Sequence, residues 1–311
     1  MRLIFMGTPA FAVPTLKALH DVGHDILSVI TQPDRPAGRG KKLRPSPVKE
    51  EATELGLPVF QPERVKRDEG FEHIQGHAPD VIVVVGYGQI VPQRIIDLPK
   101  YGCVNVHSSL LPAYRGAAPM NWAIVNGEKV TGVCTMQLVF KLDAGDVLLS
   151  RETPIGPNET TPELAKRLAP MGVELAVATL EGLAAGTITP QPQDEEQVTY
   201  APIIKREDGL VDWTQTAQQI HNRVRGFDPW PGAYTFWRGG RFQVRKARPG
   251  DGSGPPGEIA IEGDRLFIGC GEGRLEALEV QPEGKKRMPA GNFVRGYRPE
   301  NGETFSNEPN D

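Results

Sequence analysis

The chain has 311 residues, 39% hydrophobic and 24% charged, which fits about two globular domains, each able to bury a core. No apolar run reaches the roughly 18 residues of a membrane span, and the chain enters a strand-like run at residues 2–6, so neither a membrane anchor nor a leader peptide is expected. The net charge of −4 is unevenly placed. Residues 31–49 hold six basic side chains (Arg35, Arg39, Lys41, Lys42, Arg44 and Lys49) against the single acid Asp34, a local patch suited to a polyanion rather than general stickiness.

Taken in order, residues 3–6 read as a buried strand, 11–19 as a helix with Phe11, Leu16 and Leu19 on one side, and 26–30 as a second strand. Residues 52–55 belong to a short helix. The run Val81-Ile82-Val83-Val84-Val85 has the continuous apolar character of a central parallel strand, and 102–106 follows as another. This alternation predicts an α/β fold with a doubly wound, mostly parallel sheet. Strands at 130–138 and 146–151 flank a loop carrying Asp143. Residues 161–183 form a helix that Pro170 and Gly172 are expected to kink or interrupt. The proline-rich, polar stretch 187–202 reads as a connector. Beyond it come a helix at 215–224 and short strands at 234–236, 242–247, 258–261, 265–268 and 275–280, separated by Gly/Pro turns. That texture predicts a small, OB-like β-barrel. Residues 304–311 read as a frayed tail. Cys103, Cys134 and Cys270 are isolated and odd in number, which suits a reducing cytoplasm better than a disulfide framework.

Several motifs carry candidate chemistry. Gly7-Thr8-Pro9 sits at the first strand-to-helix turn but supplies one glycine of a dinucleotide fingerprint, so a tight turn is favoured over NAD binding. Gly86-Tyr87-Gly88 follows a buried strand and lets backbone approach a flat ligand, a pocket wall rather than a phosphate cradle. His73 and His77 are four apart without the glutamate of a metalloprotease helix, and read as a solvated surface pair; no metal site is expected. The basic segment from Gln32 to Lys42 contains two glycines and two prolines, has no hydrophobic face, and interrupts an alternation whose loops usually run about 2–6 residues. Nucleic-acid contact is favoured there over plain disorder. The strongest signal is Asn105-Val106-His107 with Asp143. Residues two apart on a strand share a face, so Asn105 and His107 can enter one pocket. An amide that holds an oxyanion, an imidazole that moves a proton and a carboxylate that orients it suit acyl transfer, with the exact reaction open at this point.

Together these residues identify a resemblance. Asn105-Val106-His107, Ser109-Leu110-Leu111-Pro112 and Leu142-Asp143-Ala144-Gly145-Asp146 resemble the signature of formyltransferases that use 10-formyltetrahydrofolate. The insertion 32–49, with Phe227-Asp228-Pro229-Trp230-Pro231 and Gly284-Lys285-Lys286-Arg287-Met288, is similar to landmarks of the methionyl-tRNA formyltransferase family over essentially the whole chain. The resemblance implies formyl transfer from 10-formyltetrahydrofolate to the α-amine of initiator methionyl-tRNA, with no metal. It implies a catalytic domain at 1–189 containing the insertion, a linker at 190–206, and an OB-like tRNA-binding domain at 207–311. By analogy Asn105 stabilises the oxyanion, His107 shuttles the proton and Asp143 holds its ring. Ser109, Leu110, Leu111 and Pro112, with Gly86, Tyr87, Gly88 and Ile90, would line the folate pocket. Arg35, Arg39, Lys41, Lys42 and Arg44 would meet the acceptor stem, and Arg241, Arg245, Lys246, Arg248, Lys285 and Lys286 would hold phosphates. A cytoplasmic monomer, without membrane contact, is expected. The chain departs from the family pattern at Ala113, where arginine is usual, at Cys134, where serine or threonine is usual, and at Phe140-Lys141. The basic insertion and intact Asn105, His107 and Asp143 weigh against a nucleotide-sugar formyltransferase and a catalytically silent tRNA binder, respectively. The missing glycine fingerprint weighs against a nicotinamide dehydrogenase.

Overall fold

The computed structural model describes residues 1–37 and 42–308, apart from the side chains of Ala37 and Lys42. Contacts group the chain into two compact units, one formed by Met1–Pro119, Val130–Pro154 and Ala165–Pro202, the other by Met120–Lys129, Ile155–Leu164 and Ile203–Asp311.

The first unit is built on a seven-stranded sheet. Its strands are β1 (Arg2–Gly7), β2 (Asp25–Ile30), β5 (Val59–Phe60), β6 (Val81–Val85), β7 (Cys103–His107), β9 (Val130–Gln137) and β10 (Val147–Pro154), the intervening numbers belonging to β3 (Arg35–Ala37), β4 (Lys42–Arg44) and β8 (Arg115–Gly116). The order is β10-β9-β7-β6-β1-β2-β5. Strands β5, β2, β1, β6 and β7 are parallel; β9 and β10 add antiparallel pairs at the edge. The chain winds from β1 outward to β2 and β5, then returns to β6 on the other side of β1. The crevice beyond the carboxyl ends of β1 and β6 is therefore the topological switch point, where such sheets receive ligands. The Val81–Val85 run is buried at every position, as a central parallel strand requires.

Helix Thr161–Ala185 runs through Pro170 without the interruption expected from sequence. The reason lies in its packing. A Cβ on Gly172 would stand 3.2 Å from the Val106 side chain and 3.8 Å from that of Val133, so the glycine lets the helix press onto β7 and β9. Thr179 and Thr135 share a buried hydrogen bond of 2.7 Å on the same face. By length and composition this helix is long and apolar enough to cross a membrane; its Leu168, Leu175, Ala176 and Leu180 are buried in the protein. Because Val104 and Val106 point to that helix, Asn105 and His107 are left on the opposite face.

Two expectations about surface segments are corrected. The flanks of the basic insertion pair as an antiparallel β3–β4 ladder, Arg35 opposite Arg44, instead of forming one irregular loop. Arg39 and Lys41 lie outside the described residues, as does the side chain of Lys42. His73 is not a solvated surface residue: it stacks on Phe60 at 3.9 Å between ring centroids and hydrogen-bonds Ser28 at 3.0 Å, and burial lowers its pKa.

Also in the first unit, β11 (Tyr200–Ala201) pairs in parallel with β8. In the second unit, helix Ala217–Gly226 starts with a capping box between Thr216 and Gln219. It covers an antiparallel sheet of β12 (Ala233–Trp237), β13 (Gly240–Gly250), β14 (Ile259–Glu262), β15 (Arg265–Gly269) and β16 (Arg274–Pro282), in the order β12-β13-β16-β15-β14, with β17 (Met288–Pro289) on β16. Trp213, Trp237, Phe242, Phe293 and Phe305 fill its core. The tail expected to fray is held as far as residue 306. Ser306 exchanges two backbone hydrogen bonds with Phe236 on β12, while the Phe305 N–H and Glu303 carbonyl bond to Gly257 and Ile259 beside β14. Phe305, 5% exposed, stacks on Trp213, and an apolar anchor of that size outweighs the fraying of a short terminal segment.

Candidate active site

Asn105, His107, Ser108 and Ser109 are all buried at the carboxyl end of β7, one strand from the switch point. Asn105 and His107 occupy one face, as their spacing predicts, paired in register with Met136 and Cys134 of β9. No residue among those described hydrogen-bonds the Asn105 side-chain amide, which leaves its N–H groups available to a ligand oxygen. His107 Nε2 lies 3.0 Å from the Tyr114 carbonyl oxygen. A carbonyl can only accept, so Nε2 carries a proton and Nδ1 is the basic nitrogen of the neutral ring. Nδ1 faces Asp143 Oδ2 at 3.9 Å, an ion-pair distance once the ring is protonated, with the two side chains 7% and 11% exposed.

The carboxylate is placed by backbone. Asp143 adopts a left-handed φ of +44°, and its Oδ2 accepts a hydrogen bond from the Gly116 N–H at 2.8 Å. Two residues on, a Cβ at Gly145 would sit 1.7 Å from the Gln137 carbonyl oxygen, so only glycine lets the loop return this close to β9. The Ser109 hydroxyl donates to the Ala113 carbonyl at 2.7 Å and ties the 109–113 turn together.

The connector is part of this architecture. Arg115 is fully buried; its guanidinium donates twice to Gln193 Oε1, at 3.0 and 2.8 Å, and once to Glu195 at 3.0 Å. Glu195 also pairs with Lys141 at 2.6 Å, and these two cations hold its carboxyl below the usual range. Lys141, at a position that departs from the family pattern, thus anchors the Asp143 loop. Cys134, another departure, is wholly buried beside His107, and burial pushes its thiol up to about 12, making it unreactive packing. Sequence reasoning missed Gln193, Glu195 and the Tyr114 carbonyl. Nothing local marks them, because their partners are 7 to 80 residues away in the chain.

Around the switch point, Gly86 and Gly88 have φ of +57° and +82°, and the buried Tyr87 carbonyl accepts from Thr8 and Gln32. Burial raises the Tyr87 phenol, whose oxygen finds no protein partner. Ile90, Val139, Phe140 and Leu142 are large apolar side chains left exposed on the loops after β6 and β9. A cavity of about 520 Å³ beside Gly88 is lined by Gln32, Arg35, Arg64 and Lys66 among others.

The cations expected to meet phosphate divide into two groups. Arg35 pairs with Glu63, Lys49 with Asp34, Arg245 with Asp228 and Arg248 with Glu276. Arg44, Lys246, Lys285 and Lys286 are exposed, and Arg241 lies over the Tyr234 ring at 4.0 Å. Among the described residues no group of His, Cys, Asp and Glu is arranged to hold a metal.

Comparison with known proteins places this geometry. Residues 1–180 match the formyl transferase family model and residues 203–298 that of the formyl transferase C-terminal domain. The methionyl-tRNA formyltransferase of Citrifermentans bemidjiense is 52% identical over 299 residues, covering 96% of this chain and 94% of that protein. Among solved structures, a sugar 3N-formyl transferase crystallised with dTDP and 5-N-formyl-THF superposes with a TM-score of 0.68 at 17% identity, over 92% of this chain and 99% of the other. HypX from Aquifex aeolicus in complex with tetrahydrofolic acid does so with a TM-score of 0.63 at 21% identity, over 95% of this chain and 48% of that one. At such identities these two structures speak to the fold.

Proposed function

The chain belongs to the methionyl-tRNA formyltransferase family, and we propose on that premise that it moves the formyl group of 10-formyltetrahydrofolate to the α-amine of methionine esterified to initiator tRNA, giving N-formylmethionyl-tRNA. One observation carries the assignment of roles: a buried amide without a protein partner stands on the same strand face as an imidazole whose basic nitrogen looks at a carboxylate.

The folate co-substrate fits the residues present. Backbone at Gly86 and Gly88 is open to a flat hydrogen-bonding ring, and Ile90, Val139, Phe140 and Leu142 offer apolar surface for it, with Ser109, Leu110, Leu111 and Pro112 forming the neighbouring wall. The Asn105 N–H then meets the formyl oxygen as it gains negative charge. His107 Nδ1 takes the proton of the attacking amine and returns it to the leaving nitrogen, while Nε2 stays bonded to Tyr114 and fixes the ring. Asp143 stabilises the imidazolium that exists between those two transfers.

Residues 1–189 form the catalytic domain in this reading, 190–206 the connector and 207–311 the tRNA-binding domain, whose antiparallel sheet, with residues 303–306 hydrogen-bonded to both β12 and β14, supports reading it as OB-like. Exposed Arg44, Lys246, Lys285 and Lys286 contact phosphate, as do Arg39, Lys41 and Lys42 of the insertion. Arg35 and Arg245 would exchange their present acidic partners for phosphate. The protein acts in the cytoplasm, whose reducing conditions suit three buried free cysteines, and as a monomer, a state tested by light scattering.

The test is formylation of charged initiator and elongator methionyl-tRNA by the wild type, Asn105→Ala and His107→Ala. Loss of the oxyanion donor is expected to lower kcat by about 10²–10³-fold and loss of the base by about 10²–10⁴-fold, with tRNA binding retained. Wild-type turnover in both variants, or no transfer to either tRNA by the wild type, would refute the assignment.

A further inference from the structure

Gln193 stands in a stretch that sequence reads as a bare connector, yet it faces two elements of the site at once. Its Oε1 receives two hydrogen bonds from the buried Arg115 guanidinium, at 3.0 and 2.8 Å. Its Nε2 donates to the Asp143 carbonyl at 2.8 Å and to the Gly145 carbonyl at 2.7 Å. One side of the amide meets only donors and the other only acceptors, so its orientation is fixed without ambiguity. The segment bearing it is itself pinned: Gln191 exchanges two backbone bonds with Val147, and Thr199 receives the N–H groups of Tyr114 and Arg115.

We propose that Gln193 is a positioning residue for the formyl transfer, clamping the backbone on both sides of Ala144 so that the Asp143 carboxylate stays opposite His107. This rests on the reading of Asp143 as the residue that stabilises the histidinium. The need for a clamp is visible in the geometry. Asp143 is held in a left-handed conformation that L residues rarely adopt. Its carboxylate is within reach of His107 only because the loop folds back onto β9. Arg115 reaches the loop through the glutamine and, by way of Glu195, through Lys141.

The two ends of the amide can be separated by substitution. Gln193→Glu keeps an acceptor toward Arg115, as a charge-assisted bond, but turns a second acceptor toward the Asp143 and Gly145 carbonyls. Gln193→Met removes both ends and leaves the buried guanidinium with Glu195 alone of its two partners. Steady-state formylation and thermal melting are measured for both, for Asp143→Asn, and for the double variant Gln193→Glu/Asp143→Asn. For Gln193→Glu, kcat is expected to fall about 10- to 100-fold, the scale of a misplacement near 1 Å, with KM for both substrates and Tm close to wild type. The double variant is expected to be no slower than Asp143→Asn, because the effect passes through that carboxylate. Wild-type kcat in Gln193→Glu, a loss confined to Gln193→Met together with a lowered Tm, or full multiplication of the two losses would overturn the role of Gln193. Wild-type turnover in Asp143→Asn would instead remove the reading of Asp143 itself.

Discussion

The sharpest consequence of the loop geometry concerns Gly145. A methyl group placed there would stand 1.7 Å from the Gln137 carbonyl oxygen, whereas real Cβ contacts essentially never fall under 3.0 Å, so the loop must move by about 1.3 Å or β9 must yield. The strand is the less compliant partner, since Gln137 pairs in register with Val104 of β7 and the neighbouring Leu138 N–H bonds the Cys103 carbonyl. The displacement therefore falls on the loop, two residues from Asp143. Movement of about 1 Å in a catalytic group costs on the order of 10²-fold in rate, equivalent to about 2.7 kcal/mol in the barrier. Gly145→Ala is expected to lower kcat for methionyl-tRNA formylation about 100-fold. Far-UV circular dichroism should match wild type, and tRNA affinity, read by filter binding, should stay within about twofold. A Gly145→Ala enzyme with wild-type kcat would refute the reasoning that this close approach sets the position of Asp143.

Three further outcomes follow from other parts of the molecule. Thr216→Ala removes one half of the capping box of helix Ala217–Gly226 and should destabilise the protein by about 1 kcal/mol in urea unfolding, with formylation at low temperature unchanged. Glu276, its side chain 6% exposed, lies between Arg248 and Arg265, whose hydrogen bonds hold its carboxyl near 2 against an ordinary 4.5. A depressed carboxylate contributes above its unfolded pKa and loses that contribution as pH falls, here between about 4.5 and 2. Since both guanidinium groups are half-exposed and screened by solvent, the pairing contributes about 2 kcal/mol, and Glu276→Gln should remove this part of the acid sensitivity seen in melts from pH 6 to pH 2. Replacing exposed Lys285 and Lys286 together by alanine should raise KM for tRNA, leave KM for folate unchanged and flatten the salt dependence by about two counterions; an unaltered salt slope would count against phosphate contact there.

What could be read from residue order follows from the range of the forces involved. The continuous apolar run at 81–85 and the two-residue spacing of Asn105 and His107 are local properties, and they placed the sheet and the shared face of those two side chains correctly. Short strands beyond residue 233 announced themselves by their spacing and the Gly/Pro turns between them. Other features depend on partners far away. The Pro170 helix is continuous because Gly172 packs on Val106 and Val133, and Phe305 is ordered because Trp213 and the sheet edges receive it. His73 looked like a surface residue until Phe60 and Ser28 were brought beside it. The same limit hid Gln193: a polar residue among prolines carries no periodic signal, and its meaning comes from Arg115, 78 positions earlier.

The parallel pairing of Tyr200–Ala201 with Arg115–Gly116 bears on how this enzyme can be cut and recombined. The region matched by the catalytic family model ends at residue 180, and a chimera joined there would contain Asn105, His107 and Asp143 in full. It would nevertheless inherit foreign sequence where Gln193, Glu195, Thr199 and Ala201 meet the site, and the backbone N–H groups of Tyr114, Arg115 and Ala117 would lose their acceptors. The transferable module extends to Pro202, some twenty residues past the end of that family match, and gene fusions or split-protein pairs should be joined beyond it.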